Sequence, residues 1–225
     1  MESMNLEAIF RAVMAEDSSA LLALFEGGCA HLTMPSFGTI SCNRIFVMLV
    51  KKLANRFRYL HVACKHIHAT QEGRLALIEG ELSYLFYDEE RKADLPYVTP
   101  TALLCHLGDS GLIAWMNVYT GFDAFVGKQI LRPAMYNAEE GLAASLPAAV
   151  RAYYEGLKAD RRYELCRRHN AGDVIAIEEN ALFTQGDICT PQAHMTVFEM
   201  AGENVKAVRP YGEIVWDFKL WPTLY

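Results

Sequence analysis

The N-terminal part of the chain repeats its apolar positions every three or four residues, which is the period of an α-helix. Residues 6–14 place their apolar side chains on one stripe, and residues 46–53 do the same with their basic residues off the stripe. Between them Asp17 is a good N-cap for a second short helix, which the glycines at 27–28 would end. The pattern therefore predicts three helices, with a short strand at 29–34 before the third.

From about residue 58 onward the pattern favours β-strands. Four strands are predicted, at residues 59–70, 75–87, 95–107 and 112–120. The segments between them are rich in glycine, aspartate and glutamate, which are common turn residues. Because consecutive strands joined by short turns pair with each other, these four form an antiparallel meander. Helices first and strands afterwards indicate an α+β fold with segregated helices.

The C-terminal part of the chain resembles a second, smaller α+β unit. Glycine, proline and alanine are frequent between residues 126 and 145, which is typical of a connector. This connector would separate a unit at 1–125 from a unit at 146–225. In the second unit the pattern predicts a helix from Leu146 to His169, followed by short strands at 174–183, 193–200 and 205–210.

Part of the first unit recurs in the second. Thr99, Pro100, Ala102, Gly111 and Gly121 recur 91 residues later as Thr190, Pro191, Ala193, Gly202 and Gly212. The strand that begins at Leu75 also resembles the one that begins at Val174. Two explanations stay open, a truncated duplication without the third helix or an unrelated extension. A duplication predicts that residues 190–212 superpose on 99–121, and that the second unit extends the first sheet or supplies a surface like that between the subunits of a dimer.

Composition and charge exclude several classes of protein. With 52% apolar residues the chain is not intrinsically disordered, and its net charge of −6 gives no general attraction for nucleic acid or an anionic membrane. No apolar run approaches the length of a membrane span, and the first residues lack the features of a signal peptide. Six scattered cysteines without a C-x-x-C pair predict reduced, mostly buried thiols and a cytoplasmic protein.

The order of helix, helix, short strand, helix and four-stranded meander resembles the nuclear-transport-factor-like superfamily, most closely its SnoaL-like branch. The matching stretches are residues 15–25, 57–62, 73–76 and 111–115. The resemblance covers residues 6–125 and implies a cone-shaped, curved antiparallel sheet wrapped around the N-terminal helices, enclosing a deep apolar pocket. The chain departs from the family at residues 26–29, Glu-Gly-Gly-Cys, where acidic residues usually precede the first strand.

The resemblance implies two classes of function, because the family includes both enzymes and binding domains. Its enzymes are polyketide cyclases, scytalone-type dehydratases, ketosteroid isomerases and epoxide hydrolases. The first expectation is therefore cofactor-independent acid–base chemistry, of lyase or isomerase type, on a small apolar carbonyl or hydroxy compound. The alternative is a non-catalytic small-ligand-binding or assembly domain. No glycine-rich phosphate loop follows a strand, so no cofactor is expected. A homodimer is compatible with both.

Two residues match a catalytic pair found in some enzymes of this family. Asp17 lies at the junction of the first two helices, and His61 begins the first long strand. The resemblance implies that they form a general-base dyad, in which a buried carboxylate orients the imidazole and keeps it basic. The structural alternative is that Asp17 only caps the second helix and that His61 is an ordinary histidine.

Ligand-binding residues are expected on the strands of the meander. On the last strand Trp115, Asn117 and Tyr119 alternate with apolar residues, and one of the two sets faces the pocket. If the polar set faces inward, Asn117 and Tyr119 can hydrogen-bond a carbonyl or enolate oxygen. Tyr84 lies in the middle of its strand and His106 at a strand end, and both are further candidates for the pocket.

The spacing of His66, His68 and Glu72 matches the His-x-His-x₃-Glu pattern of a cupin metal site, and Cys64 shares the same strand face. The pattern is short and lacks the second cupin motif, and Glu72-Gly73 fits a hairpin turn. The sequence therefore favours an ordinary polar strand face, and no metal site is predicted.

Overall fold

The computed structural model describes residues 5–35, 38–88, 92–121, 134–157, 162–185 and 188–212. The first part of the chain forms α1 (Leu6–Met14), α2 (Ser18–Leu22), β1 (Leu32–Met34), β2 (Gly38–Ile40), α3 (Asn43–Tyr59), β3 (Ala63–Glu72), β4 (Leu75–Asp88), β5 (Ala93–Leu107) and β6 (Ile113–Thr120). The second part forms α4 (Leu142–Ser145), α5 (Ala148–Glu155), β7 (Arg162–Ala171), β8 (Val174–Gln185), β9 (Ile188–Ala201) and β10 (Asn204–Tyr211).

The first helices begin at side-chain caps that the sequence supplies. The Asn5 side chain accepts a hydrogen bond from the backbone N–H of Glu7 at 2.8 Å. Asp17 caps α2 in the same way, by accepting from the N–H of Ala20 at 2.9 Å. Such caps satisfy N–H groups that have no partner inside the helix. The stacked rings of Phe10 and Phe57, 5.5 Å apart, then pack α1 against α3.

The first sheet has the strand order β2-β1-β6-β5-β4-β3. Strands β3 to β6 form the predicted antiparallel meander, whereas β1 runs parallel to β6 with Leu32 opposite Met116. One face of this sheet packs against the three helices, and together they form an apolar core. We refer to the opposite face as the outer face of the first sheet.

The second sheet, with the order β10-β9-β8-β7, covers the outer face of the first sheet. Apolar side chains fill the space between the sheets: Leu77, Ala102, Leu104 and Tyr119 from the first, and Val174, Ala176, Met195, Val197 and Tyr211 from the second. The far side of the second sheet packs against α5 through Val150, Ile177 and Phe198. The layers are therefore helices, sheet, sheet and helix.

The α+β architecture predicted from the sequence is confirmed, with two differences in the elements. Helix α3 continues to Tyr59, so the first long strand begins only at Ala63. The helix expected to run to His169 is wrong, because α5 ends at Glu155 and the chain then forms β7. At the start of β7 exposed and partly buried residues alternate, and this period of two is that of a strand. The parts of the connector and of the second unit at 126–133 and 213–225 lie outside the described residues.

The cysteines are less buried than the sequence predicted. The thiols of Cys29, Cys42, Cys64, Cys105 and Cys166 are free, and Cys105 and Cys166 are buried. Cys29 and Cys42 are exposed, so the expectation of mostly buried thiols is wrong for these two. No helix in the described part of the chain combines the length and the apolar character needed to cross a membrane.

Candidate functional site

An apolar cavity of about 140 Å³ lies between the helices and the first sheet. Its walls come from α1, α2, α3 and the inner faces of β1, β4, β5 and β6, and include Phe10, Leu24, Phe46, Leu49, Leu103 and Met116. Of the described residues that line it, only Thr101 and Thr120 carry a polar group. Their hydroxyls hydrogen-bond each other at 2.7 Å. The lining therefore offers one satisfied hydroxyl pair and no titratable group.

The structure places neither Asp17 nor His61 among the described residues that line this cavity. The Asp17 carboxylate is exposed and caps α2. His61 is exposed just after the end of α3, in a left-handed backbone conformation with φ of 49°. The capping role is thus the one that the structure gives to Asp17, and a catalytic role for the pair stays a prediction.

Strand β6 sends its two sets of side chains to opposite sides of the first sheet. Ile113, Met116, Val118 and Thr120 line the cavity. A bulge at Ala114, where the β5–β6 register shifts, separates Ile113 from Trp115. The polar set Trp115, Asn117 and Tyr119 therefore belongs to the outer face, towards the second sheet. Tyr84 is buried on the helix side of β4, where its hydroxyl lies 3.2 Å from that of Thr99, and it does not line the cavity.

Four of the predicted ligand-binding residues meet between the sheets instead. We call the group formed by His106, Trp115, Asn117, Tyr119, Tyr136, His169 and Glu178 the inter-sheet cluster. Its centre is the Glu178 carboxylate of β8, which is fully buried. This carboxylate accepts hydrogen bonds from the Tyr119 hydroxyl at 2.6 Å and the Asn117 amide at 2.5 Å, and pairs with the His169 ring at 2.8 Å. Burial alone would raise the pKa of Glu178, but these three partners outweigh it and hold the pKa below its ordinary value.

His106 is held between aromatic rings in this cluster. Its ring stacks on Trp115 with centroids 4.0 Å apart, and the ring of His169 meets it edge-on at 5.5 Å. Its Nε2 atom is buried and has no hydrogen-bond partner among the described residues, and the same is true of the Asn117 Oδ1 atom. Burial, followed by the proximity of His169, lowers the pKa of His106 to about 4.

The lowered pKa of His106 predicts a loss of stability in mild acid. A histidine in the unfolded chain takes up a proton near pH 6.5, whereas His106 in the folded chain does so only near pH 4. The unfolded state therefore binds more protons in this window, so stability that is complete above pH 6.5 is lost as the pH falls. Because the ring is only half-buried, we expect a loss of about 1 kcal/mol between pH 7 and pH 5.

Urea unfolding at both pH values measures this dependence. His106→Gln should remove about 1 kcal/mol of the pH dependence, while His61→Asn, at an exposed histidine, serves as the matched control. Equal pH dependence in wild type and His106→Gln would show that this ring stays in ordinary contact with solvent.

Two further carboxylates are buried, and neither was predicted from the sequence. Glu79 on β4 forms two hydrogen bonds with the Arg209 guanidinium, at 2.8 and 3.0 Å, and accepts a third from the Tyr211 hydroxyl at 2.5 Å. On the far side of the second sheet, Glu179 contacts three partners under α5: His194 at 2.7 Å, Thr196 at 2.6 Å and Tyr154 at 2.5 Å. The available signal was a glutamate inside an otherwise apolar strand, since such a residue needs a partner when the strand is buried.

The strand face that matched a metal-site spacing has other roles. The Glu72 carboxylate accepts a hydrogen bond from the Gly172 N–H of the second unit at 2.8 Å. The backbone N–H of His66 donates to Glu7 of α1 at 3.1 Å. A bulge at Ile67 also interrupts the strand between the two histidines. In the part of the chain that the structure describes, no cluster of three histidine, cysteine, aspartate or glutamate side chains is arranged to hold a metal ion.

Comparisons with known proteins find likeness in structure only. No protein-family model matches the chain. No curated protein matches it at a significant level. A solved NTF2-like protein of unknown function from Cytophaga hutchinsonii is similar, with 12% identity and a TM-score of 0.39 over 51% of this chain and 94% of that one. A putative SnoaL-like polyketide cyclase from Shewanella putrefaciens has 10% identity and a TM-score of 0.38 over 53% and 79%.

A putative polyketide cyclase from Pseudomonas putida has 18% identity and a TM-score of 0.38 over 55% of this chain and 93% of that one. The descriptions of two of these proteins, NTF2-like and SnoaL-like, name the superfamily and the branch that the order of helices and strands in this chain resembles. The likeness extends over about half of this chain.

Proposed function

We propose that this protein binds one small apolar molecule in the cavity between its helices and the first sheet, without catalysing a reaction on it. The observation that supports this proposal is the lining itself, which is apolar apart from the hydroxyl pair of Thr101 and Thr120. An apolar cavity of about 150 Å³ in another protein stays dry and binds benzene. The cavity of about 140 Å³ has a similar size and a similar kind of lining.

The lining also limits the chemical class of the ligand. A charged group would be buried without a counter-ion, which costs far more than apolar contacts return. A single ring or a short aliphatic chain matches the volume. The Thr101 and Thr120 hydroxyls already bond each other, so the ligand brings at most one weakly polar group to them. Monocyclic aromatic compounds such as benzene and toluene are therefore the expected ligands.

Binding is favoured over acid–base chemistry because a general base must come within about 3 Å of the proton that it removes. Asp17 and His61, the two bases expected from the sequence, are exposed and are not among the described lining residues. The titratable groups of the inter-sheet cluster lie on the other side of the first sheet. A ligand in the cavity would thus contact side chains that hold it but move no proton.

Thermal unfolding with benzene or toluene tests the proposal. At ten times its dissociation constant a ligand that binds only the folded state adds about 1.4 kcal/mol, which raises the Tm by roughly 3–5 °C. Val118→Phe, which fills the cavity, should abolish the shift. Leu103→Ala, which enlarges it, should allow a larger ring such as naphthalene to bind.

Asp17→Asn and His61→Asn are matched controls, and both should bind like the wild type. If neither wild type nor Leu103→Ala responds to any of these compounds, the cavity is only a packing defect. A Tm shift that survives Val118→Phe in a folded protein would place the ligand elsewhere.

A further inference from the structure

The two sheets carry the same irregularities at corresponding places. Strand β3 has a bulge at Ile67 opposite β4, and β7 has one at Cys166 opposite β8. The hairpin after each bulged strand turns at a glycine with positive φ, Gly73 at 55° and Gly172 at 63°. Each feature of the second sheet lies 99 residues after its counterpart (67 to 166, 73 to 172). Bulges are specific structural features, and their coincidence in register indicates a common origin.

The remaining strands repeat the same correspondence. The β5–β6 ladder has its bulge at Ala114, and the β9–β10 ladder has its bulge at Lys206. Following the ladders, β4 corresponds to β8 at an offset of 99, β5 to β9 at 93 and β6 to β10 at 92. The match of Leu75 to Val174 noted in the sequence has this offset of 99. The offset of 91 that the sequence suggested for Thr99 and Pro100 is wrong by two residues, because the ladders place β9 at an offset of 93 from β5.

The apolar contact between the sheets is made from equivalent positions of the two. By these offsets its members pair as Leu75 with Val174, Leu77 with Ala176, Ala102 with Met195, Leu104 with Val197, and Tyr119 with Tyr211. An interface in which both partners use the same patch is the mark of twofold symmetry. Neither an extended sheet nor an unrelated extension would produce this pairing.

The hydrogen bonds of the buried carboxylates between the sheets are also made from equivalent positions. Glu79 of the first sheet accepts a hydrogen bond from Tyr211 of the second at 2.5 Å. Its equivalent, Glu178 of the second sheet, accepts one from Tyr119 of the first at 2.6 Å. Two positions before each tyrosine, Arg209 and Asn117 are also equivalent, and each donates to the same carboxylate as its tyrosine. Each copy therefore supplies the donors for the carboxylate of the other.

We infer that α5 and strands β7 to β10 are a shortened second copy of the first unit, and that this copy covers the outer face of the first sheet as the second subunit of a twofold dimer would. The partner of this face is thus a part of the same chain. A homodimer, which the sequence allowed, would therefore have to use another surface.

The two copies differ on the sheet faces that pack against their helices. These faces take no part in the contact between the copies, so their residues need not match. The ladder offsets align Gly80 with Glu179, and Thr101 and Leu103 with His194 and Thr196. The position of the apolar cavity in the first copy is therefore occupied in the second by the buried hydrogen-bonded group around Glu179.

Hydrogen–deuterium exchange on two full-length variants tests the crossed arrangement. Tyr119→Phe keeps the ring in the first sheet but removes a donor to Glu178, so amide exchange should rise in β8 of the second copy. Tyr211→Phe should raise exchange in β4 of the first copy. Because each lost bond ends on a charged carboxylate, a rise of roughly tenfold is expected. Tyr154→Phe, whose hydroxyl bonds Glu179 within its own copy, is the matched control and should affect the second copy alone.

The inference is overturned if exchange rises only in the sheet that carries the substitution, or in neither sheet. A stable dimer in which the outer face of the first sheet is protected by another chain would also contradict it.

Discussion

Arg209→Met is expected to lower the free energy of unfolding by about 3–5 kcal/mol, one of the two largest effects predicted for a single substitution here. Arg209 provides the positive charge that faces the fully buried Glu79 carboxylate, through two hydrogen bonds at 2.8 and 3.0 Å. Methionine retains much of the apolar stem but leaves that carboxylate buried and uncompensated. The remaining bond from the Tyr211 hydroxyl does not neutralise its charge.

Urea unfolding of three variants measures this effect. The double variant Arg209→Met with Glu79→Met removes both charges, and it should recover most of the lost stability. Lys206→Met removes a cation from an exposed pair with Glu199 and should leave the unfolding midpoint close to that of the wild type. Should Lys206→Met prove as damaging as Arg209→Met, general surface charge rather than the buried pair would stabilise the second sheet.

Gly80→Ala is expected to cost about 3 kcal/mol and to lower the Tm by roughly 6–12 °C. A Cβ at residue 80 would lie 2.5 Å from the backbone carbonyl oxygen of Lys65 and would also overlap the Leu6 side chain of α1. The carbonyl belongs to the neighbouring strand β3, so relief requires the sheet or the helix to move. Close packing of the core makes such movement costly.

Gly108→Ala is the matched control for this substitution, with thermal unfolding as the measurement. The atoms nearest to a Cβ at residue 108 belong to the carboxylate of Glu26, an exposed side chain that can turn into solvent at the loss of one surface hydrogen bond from the Ser110 hydroxyl. Its Tm should therefore stay within a few degrees of the wild type. If the two alanine variants unfold at the same temperature, the contact between α1 and β4 is looser than the structure indicates.

The sequence predicted those parts of the fold that depend on local pattern. Apolar stripes and caps such as Asp17 identify α1 to α3, because a helix satisfies most of its hydrogen bonds within itself. The meander follows from short turns such as the one at Gly73. Strand β7 was missed because two pairs of adjacent arginines, at 161–162 and 167–168, obscure its alternation.

The candidate site depended on information that is not local. Asn117 and Tyr119 were identified as hydrogen-bonding residues, but the strand period is the same for both faces of a sheet. Which face meets the cavity is decided by the bulge at Ala114 and by the second sheet that covers the other side. The partners of Glu178 lie on other strands, so its role could not be read from its neighbours in the chain.

The ion pair of Glu79 with Arg209 also has a consequence for how the chain folds during its synthesis. The two residues are separated by 130 positions. At the usual 5–20 residues per second, roughly ten seconds pass between the synthesis of the carboxylate and that of its guanidinium partner. Throughout that interval strand β4 carries the Glu79 carboxylate without its positively charged partner, so the outer face of the emerging first sheet stays exposed to water. This face can be covered completely only after β10, the strand that carries Arg209, has been synthesised.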